Sequence, residues 1–163
     1  MSSKGDSPSF LDESPSFGKI NISNVKDVLK TASLMKEHLS AGKLWKKRVP
    51  PDGELVIVGA IIFNGKAVSS IEFSPSDGLV LPKGYHPHVF SLSVEYEKIK
   101  EYFEKIVYEL KLGDGAEYRE PESSWEIPLI YRGMVVAHIK VYYDALHILP
   151  DFIVDQEMKI YEW

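Results

Sequence analysis

The sequence predicts an α+β domain with an antiparallel sheet and two helices on one face, built from two related strand–helix–strand–strand units. The main observation is an internal repeat: residues 60–82 align without a gap on residues 128–150, and six of the 23 pairs are identical. Each copy holds two apolar runs around a tight-turn signal and follows a stretch of helical periodicity. We therefore expect an internal duplication with pseudo-two-fold symmetry, in which residues 18–163 form one domain. The two units are expected to span about residues 18–86 and 87–163.

Residues 1–17 are expected to form a flexible tail, because they are rich in Ser, Pro and Asp and show neither helical nor strand periodicity. A short sequence recurs within them, as DSPSF over residues 6–10 and as ESPSF over residues 13–17. An acidic residue, a backbone stiffened by Pro and an aromatic anchor, Phe10 or Phe17, are features of a short docking motif. The alternative is a solubilising tail with no binding role.

Each unit is predicted to begin with a short strand and an amphipathic helix. In the first helix, Asn24 and Asp27 form a capping pair ahead of an apolar stripe that ends before Gly42. In the second, Ser93 is the predicted cap, and the apolar stripe runs to Gly113. The strand candidates are residues 19–22 and 88–92.

A hairpin follows each helix. Asn64-Gly65 separates two apolar runs and is typical of a type I′ turn, and Arg132-Gly133 is a weaker version of the same signal. Regular alternation from these turns assigns the side chains to two faces. The face expected to receive the helices carries Val56, Val58, Ala60, Ile62, Ala67, Ile71 and Phe73, and in the second copy Pro128, Ile130, Val135, Ala137, Ile139 and Val141.

The opposite face is also predicted to be rich in large apolar side chains, which a monomer seldom leaves bare. Its expected members are Leu55, Ile57, Ile61, Phe63 and Val68, and in the second copy Trp125, Ile127, Leu129, Tyr131, Met134 and Val136. We expect this face to be covered by the N-terminal tail, by the C-terminal segment, by a second subunit or by a ligand.

The polar side chains predicted for that second face occupy matching positions in the two copies, with Ser70 matching His138 and Glu72 matching Lys140. Together with Tyr142, they form a candidate site that binds a polar ligand or transfers protons. The alternative is a plain cross-strand ion pair between Glu72 and Lys140, or Lys140 lying over an aromatic ring. The candidate ligand- or partner-binding residues are Ser70, Glu72, His138, Lys140, Tyr142, Trp125, Tyr131 and Phe63.

A basic cluster surrounds an aromatic residue over residues 43–48. Cations beside a stacking ring are typical of proteins that hold single-stranded nucleic acid without reading its sequence. The alternative is that these cations follow a helix whose dipole favours them. The candidate nucleic-acid contacts are Lys43, Trp45, Lys46, Lys47 and Arg48.

Several function classes are disfavoured by what the sequence lacks. A net charge of −5 gives no chain-wide basic field, and the absence of cysteine excludes disulfides and thiolate metal sites. No nucleotide-binding or hydrolase motif occurs, and the paired His86 and His88 are a weak metal signal, so we expect no catalytic residue, cofactor or metal. No apolar run is long enough to cross a membrane and the N-terminus is polar, so we expect no membrane partner and a cytoplasmic location. Three Asn and one Gln beside abundant Lys and Glu are typical of a thermophile, here of archaeal type.

These features favour a non-enzymatic binding or adaptor protein that acts through the apolar sheet face and the SPSF tail, with a protein partner or as a homo-oligomer. The alternatives are a small-molecule-binding or hydrolytic cleft on the sheet face, and single-stranded nucleic-acid binding. The doubled strand–helix–strand–strand plan is similar in outline to the gyrase-inhibitory-protein-like small-molecule-binding domains. That resemblance implies a ligand groove across a pseudo-two-fold axis.

Overall fold

The structure is a computed structural model that describes residues 22–163, and it confirms the α+β class with antiparallel sheets. Its elements in chain order are α1 (Ile22–Lys36), β1 (Ser40–Val49), β2 (Glu54–Phe63), β3 (Lys66–Phe73), α2 (Tyr96–Glu109), β4 (Lys111–Leu112), β5 (Glu117–Arg119), β6 (Ser124–Tyr131), β7 (Met134–Tyr142) and α3 (Phe152–Ile160). None of the helices within this described range is both long and apolar enough to cross a membrane. The predicted tail and its residues Phe10 and Phe17 lie outside the described residues.

The strands form two antiparallel sheets. The first has the order β1–β2–β3, and in the second the short strands β4 and β5 both pair with β6, which pairs with β7. The sheets meet where β3 approaches β7, and there the Ser69 hydroxyl donates a hydrogen bond of 2.6 Å to the backbone carbonyl of His138. This contact brings the two hairpins together.

One cluster of buried side chains, the main core, joins both sheets to α1 and α2. Ile99, Phe103 and Ile106 recur at helical spacing on the buried side of α2. The Phe103 ring packs edge-on against Phe73, with the ring centroids 5.6 Å apart. Gly59 makes this packing possible, because a Cβ at that position would lie 2.6 Å from the Phe103 ring.

A second, smaller cluster lies beneath α3 and is called here the C-terminal cluster. In it Val154 of α3 packs with buried side chains of the first sheet, and Met158 packs against its edge. The sheet residues are Trp45, Val56, Val58, Ala60 and Ala67. The C-terminal segment therefore covers the face of the first sheet that carries Val56, Val58 and Ala60, and not the face for which a cover was expected from the sequence.

Each hairpin contains a β-bulge, which regular alternation does not predict. Ile62 pairs with Ala67 but Ile61 pairs with Ser69, so Val68 is the extra residue of β3. Val136 is the extra residue at the corresponding place in β7. Beyond each bulge the strand is displaced by one residue relative to its partner, which exchanges the faces that its side chains share.

The predicted assignment of the two faces is therefore wrong for the inner strands β2 and β6. For the outer strands β3 and β7, Ile71, Phe73, Ala137, Ile139 and Val141 lie in the main core with the helices, as expected. The large apolar residues expected on a second face lie in the main core, and the bulges bring the outer halves of β3 and β7 to the same face. These residues include Ile57, Ile61, Trp125, Ile127, Leu129 and Tyr131. The residues expected to receive the helices in the first hairpin, Val56, Val58 and Ala60, lie instead in the C-terminal cluster. The apolar second face that was expected to need a cover is thus already buried by the chain itself.

Several predicted element boundaries also differ. Residues 88–92 form no strand, and Ile22, the one described residue of the other strand candidate, begins α1. Asn24 lies inside α1 rather than at its cap, and α2 begins at Tyr96, with Glu95 instead of Ser93 at the N-cap. The sequence analysis missed β1 and α3 altogether, so the described residues hold three helices and not two.

The internal repeat places residue 60 over residue 128, and this separation along the chain is called here the repeat offset. Matching backbone features recur at the repeat offset. Both hairpin turns hold their two central residues at positive φ, both outer strands carry a bulge, and both continue into an isolated bridge. The equivalent features are the turns Asn64-Gly65 and Arg132-Gly133, the bulge residues Val68 and Val136, and the bridges Phe73–Val80 and Val141–Ile148.

Two hydrogen bonds between the hairpins are reciprocal at the repeat offset. The Lys83 backbone N–H donates to the Val135 carbonyl at 2.9 Å, and the Asp151 N–H donates to the Ala67 carbonyl at 2.8 Å. Lys83 and Asp151 are equivalent positions at the repeat offset, and so are Ala67 and Val135. Each half of the chain therefore donates one of these two hydrogen bonds to the other half and accepts the other bond from it.

Candidate functional site

A cavity of about 560 Å³ lies where β3 and β7 meet. This volume is within the range of pockets that hold small organic ligands. Its apolar wall is made by residues that correspond at the repeat offset, and the two bulge residues contribute to it. The pairs are Val68 and Val136, Leu81 and Leu149, and Pro82 and Pro150.

Glu72 is a half-buried side chain in the cavity wall. It lies on β3 opposite Val58, on the face turned away from the main core. No residue in the described range forms a hydrogen bond or an ion pair with its carboxylate. Burial raises the pKa of Glu72, and the nearby His86 and Lys47 side chains oppose this effect only in part.

His138 lies across the cavity on β7, opposite Pro128. Burial lowers the pKa of this imidazole, and the nearby Lys83 ammonium lowers it further. The ring nitrogen Nδ1 is buried and has no hydrogen-bond partner in the part of the chain that the structure describes. The cavity wall thus holds a second polar group whose bonding capacity is unused.

Three other charged groups of the wall, Lys140, Glu122 and Glu126, form ion pairs. Lys140 Nζ lies 2.8 Å from Glu122 Oε1, and Arg119 Nη2 lies 3.1 Å from Glu126 Oε1. The hydrogen bond from Lys140 holds the pKa of Glu122 below its usual range. The cross-strand ion pair considered between Glu72 and Lys140 is therefore replaced by a pair with Glu122.

Four of the predicted ligand-binding residues line this cavity, namely Ser70, Glu72, His138 and Lys140. The other four do not. Trp125 and Tyr131 are buried in the main core, and Phe63 packs against it. Tyr142 places its ring against Tyr143, with the centroids 4.5 Å apart.

Two cations of the predicted nucleic-acid cluster bind the C-terminal segment. The Lys43 ammonium donates to the Met158 carbonyl at 2.7 Å, and Lys47 Nζ lies 2.8 Å from the Glu157 carboxylate. Both side chains are on β1, and both partners are on α3. The cluster thus fastens α3 to the first sheet.

The rest of the cluster also makes contacts within the chain. Trp45 is fully buried in the C-terminal cluster, so its ring is not accessible for stacking on a base, which corrects the role expected for it. Arg48 donates hydrogen bonds of 2.9 Å to the carbonyls of Gly53 and Phe90. Lys46 Nζ lies 5.7 Å from the centroid of the Trp163 ring. Nucleic-acid binding stays a prediction, without the exposed aromatic residue that favoured it.

The histidines considered as metal ligands are dispersed. His88 Nδ1 lies 2.5 Å from a Glu54 carboxylate oxygen, His147 Nδ1 lies 2.6 Å from Asp144, and His86 lies at the cavity. Within residues 22–163, no group of three or more His, Asp or Glu side chains is placed to hold a metal ion.

Sequence reasoning missed several groups of the cavity wall, among them Lys83 and Asp151. Both directly follow the Leu-Pro pair that ends each copy of the internal repeat, so extending the alignment by one position would have found them. Phe152 and Ile153, which are exposed at the start of α3, complete this side of the cavity.

Comparison with family models, with curated proteins and with solved structures finds no match to this chain.

Proposed function

We propose that this chain is a small-molecule-binding domain that holds a compact organic ligand between its two hairpins. The observation that carries the proposal is the cavity at the meeting of β3 and β7. Its wall holds the half-buried Glu72 carboxylate and the buried His138 Nδ1 atom, which has no hydrogen-bond partner among the described residues. The adaptor hypothesis relied on an exposed apolar sheet face. Because that face is buried in the main core, the cavity is the better-supported site, and the adaptor role stays a prediction.

The unused polar groups support a ligand because buried polar atoms in folded proteins are nearly always hydrogen-bonded. The Glu72 carboxylate and the His138 Nδ1 atom lose solvation without gaining a partner from the described residues. A bound molecule would supply these partners, and the aliphatic wall would bury its apolar part.

We also propose that the chain is an internal duplication of a helix followed by a three-stranded antiparallel meander. The support is the set of turns, bulges, bridges and reciprocal hydrogen bonds that recur at the repeat offset. In this arrangement α1 and α2 lie on one face of the sheets, and the ligand occupies the pseudo-two-fold axis. The cavity then exists only because two copies of the unit meet.

The test is ligand-induced stabilisation with the cavity open and with it filled. We expect compounds from a library of small organic molecules to raise the unfolding midpoint of the wild-type protein by mass action. Ser70→Phe places a ring in the cavity from a half-buried wall position and should abolish the stabilisation. Ser33→Phe is the matched control, because Ser33 is exposed on α1 and lines no part of the cavity.

Two results would contradict the proposal. One is a library in which no compound stabilises the wild-type protein. The other is stabilisation that persists undiminished in Ser70→Phe, which would place the bound compounds elsewhere on the molecule.

A further inference from the structure

Resting on the proposed function, we infer that the ligand is an organic amine whose protonated amino group binds the Glu72 carboxylate and whose apolar body lies against the aliphatic wall. The charge, the pairing and the depth of the groups around the cavity all favour this chemical class.

The charge of the wall favours a cation. Four carboxylates line the cavity against three cations, which are the two lysine ammonium groups of the wall and the Arg119 guanidinium that pairs with Glu126. Such an excess of negative charge attracts cationic molecules and disfavours acids. The carboxylates are Glu72, Glu122, Glu126 and Asp151, and the lysines are Lys83 and Lys140.

Pairing selects one of the four carboxylates. Glu122 is bound by Lys140, and Glu126 is bound by Arg119. Asp151 caps α3 by accepting a hydrogen bond of 3.1 Å from the Val154 N–H. Glu72 is left as the wall carboxylate to which the described residues give no partner.

Glu72 and Lys83 differ in how deeply they are buried. Lys83 is the wall lysine that forms no ion pair in the described range. Lys83 is exposed, so water screens its charge and an anion would gain little there. Glu72 is half-buried, where a charge-assisted hydrogen bond from an ammonium group is about twice as strong as a neutral one. The site is therefore better built for an amine than for an acid.

The apolar part of the ligand follows from the rest of the wall. Val68, Val136, Leu81 and Leu149 surround the space next to Glu72, and they offer neither donors nor acceptors from their side chains. A hydrocarbon or aromatic body fills such a space, whereas the hydroxyl groups of a sugar would find no partner on these four side chains.

The experiment compares three probes with one carbon skeleton, phenylbutylamine, phenylbutanol and phenylbutyrate, by isothermal titration calorimetry at neutral pH. We expect the amine to bind about tenfold or more tightly than the alcohol, the scale of one hydrogen bond to a charged group, and the acid to bind most weakly. Glu72→Gln keeps the shape of the side chain and should lower amine affinity to the level of the alcohol. Alcohol affinity should stay within about twofold in that variant. Glu101→Gln, an exposed position on α2, is the control and should change neither.

The outcomes separate this inference from the proposed function. If the alcohol or the acid binds as well as the amine, or if Glu72→Gln leaves amine affinity unchanged, the ligand class is wrong while the cavity remains a binding site. The ligand class is also wrong, and the cavity is still a binding site, if none of the three probes binds but library compounds stabilise the wild-type protein and not Ser70→Phe. If neither the probes nor the library compounds bind, the proposed function itself is wrong.

Discussion

At the scale of single residues, Glu72 combines a cost to folding with a candidate role in binding. Its carboxylate is half-buried, and burial raises its pKa in the folded protein. The folded state therefore holds the proton more firmly than the unfolded state does. The resulting stabilisation is present below the unfolded pKa and is lost as the pH rises through the folded pKa.

Glu72→Gln should make the protein more stable than the wild type at pH 7, because it removes an ionised group that lacks a partner. The expected gain in the free energy of unfolding is on the order of 1 kcal/mol. The gain should disappear at a pH well below the ordinary pKa of a glutamate, where the wild-type side chain is also neutral. Urea unfolding of both proteins across this pH range measures it.

The control for this prediction is Glu101→Gln, since Glu101 is an exposed carboxylate on α2. A gain at pH 7 that persists unchanged at low pH would show that the effect comes from packing or solvation of the amide and not from the charge of Glu72.

At the scale of elements, α3 depends on its N-cap residue. The Asp151 side chain accepts a hydrogen bond from the Val154 N–H, which satisfies a backbone donor that the helix leaves free. Because α3 covers Trp45, loosening this helix exposes the C-terminal cluster to water.

Asp151→Ala should lower the free energy of unfolding by about 1 kcal/mol, the usual cost of losing a side-chain cap. Asp151→Ser keeps an acceptor at the same position and should restore most of the loss. Chemical unfolding followed by tryptophan fluorescence measures both variants. Equal destabilisation by Ala and Ser would show that the charge of Asp151, and not its capping bond, stabilises the helix.

The elements also show which parts of the fold the sequence could predict. Asn64-Gly65 and Arg132-Gly133 indicated both turns, because tight hairpins need residues that tolerate positive φ. β1 was not predicted because polar and apolar residues do not alternate along it, in spite of the buried Trp45. Its cations were interpreted as a surface patch. The short helix α3 offers too few turns for a clear apolar stripe.

Much of the candidate site was predictable for a similar reason. Ser70 and Glu72 alternate along β3 beyond its bulge, as His138 and Lys140 do along β7, so each pair was placed on one face correctly. The apolar residues that share a face with these pairs were predicted incorrectly, because a run of Val, Ser and Ala gives no sequence signal for the extra residue Val68. Neighbours on adjacent strands can therefore be predicted only when the position of the bulge is known, whereas neighbours along one strand can be predicted without it.

At the scale of the whole molecule, the main core makes the two halves of the chain interdependent. Ile57 and Phe73 of the first half pack in the same cluster as Ile127 and Ile139 of the second, with α2 packed among them. Neither half can bury these side chains alone, so the described residues should unfold as one cooperative unit.

This cooperativity can be measured with variants that keep one tryptophan each. Trp125→Phe with Trp163→Phe leaves Trp45 as the reporter of the first half, and Trp45→Phe with Trp163→Phe leaves Trp125 as the reporter of the second. In each variant, the fluorescence midpoint in urea should coincide with the midpoint from circular dichroism. A Trp125 midpoint clearly below the circular-dichroism midpoint would show that the second half unfolds separately.

The reciprocal hydrogen bonds between the hairpins have a consequence for assembly. The contacts of Lys83 with Val135 and of Asp151 with Ala67 join the halves of one chain, and the connecting residues 81–95 contain no helix or strand. The same contacts are satisfied when the first half of one molecule meets the second half of another, which is the geometry of domain swapping. Rising concentration favours such an intertwined dimer by mass action. Each of its two cavities would be built from both chains yet keep the same lining residues, so exchange of halves would double the mass of the particle and leave the cavity unchanged.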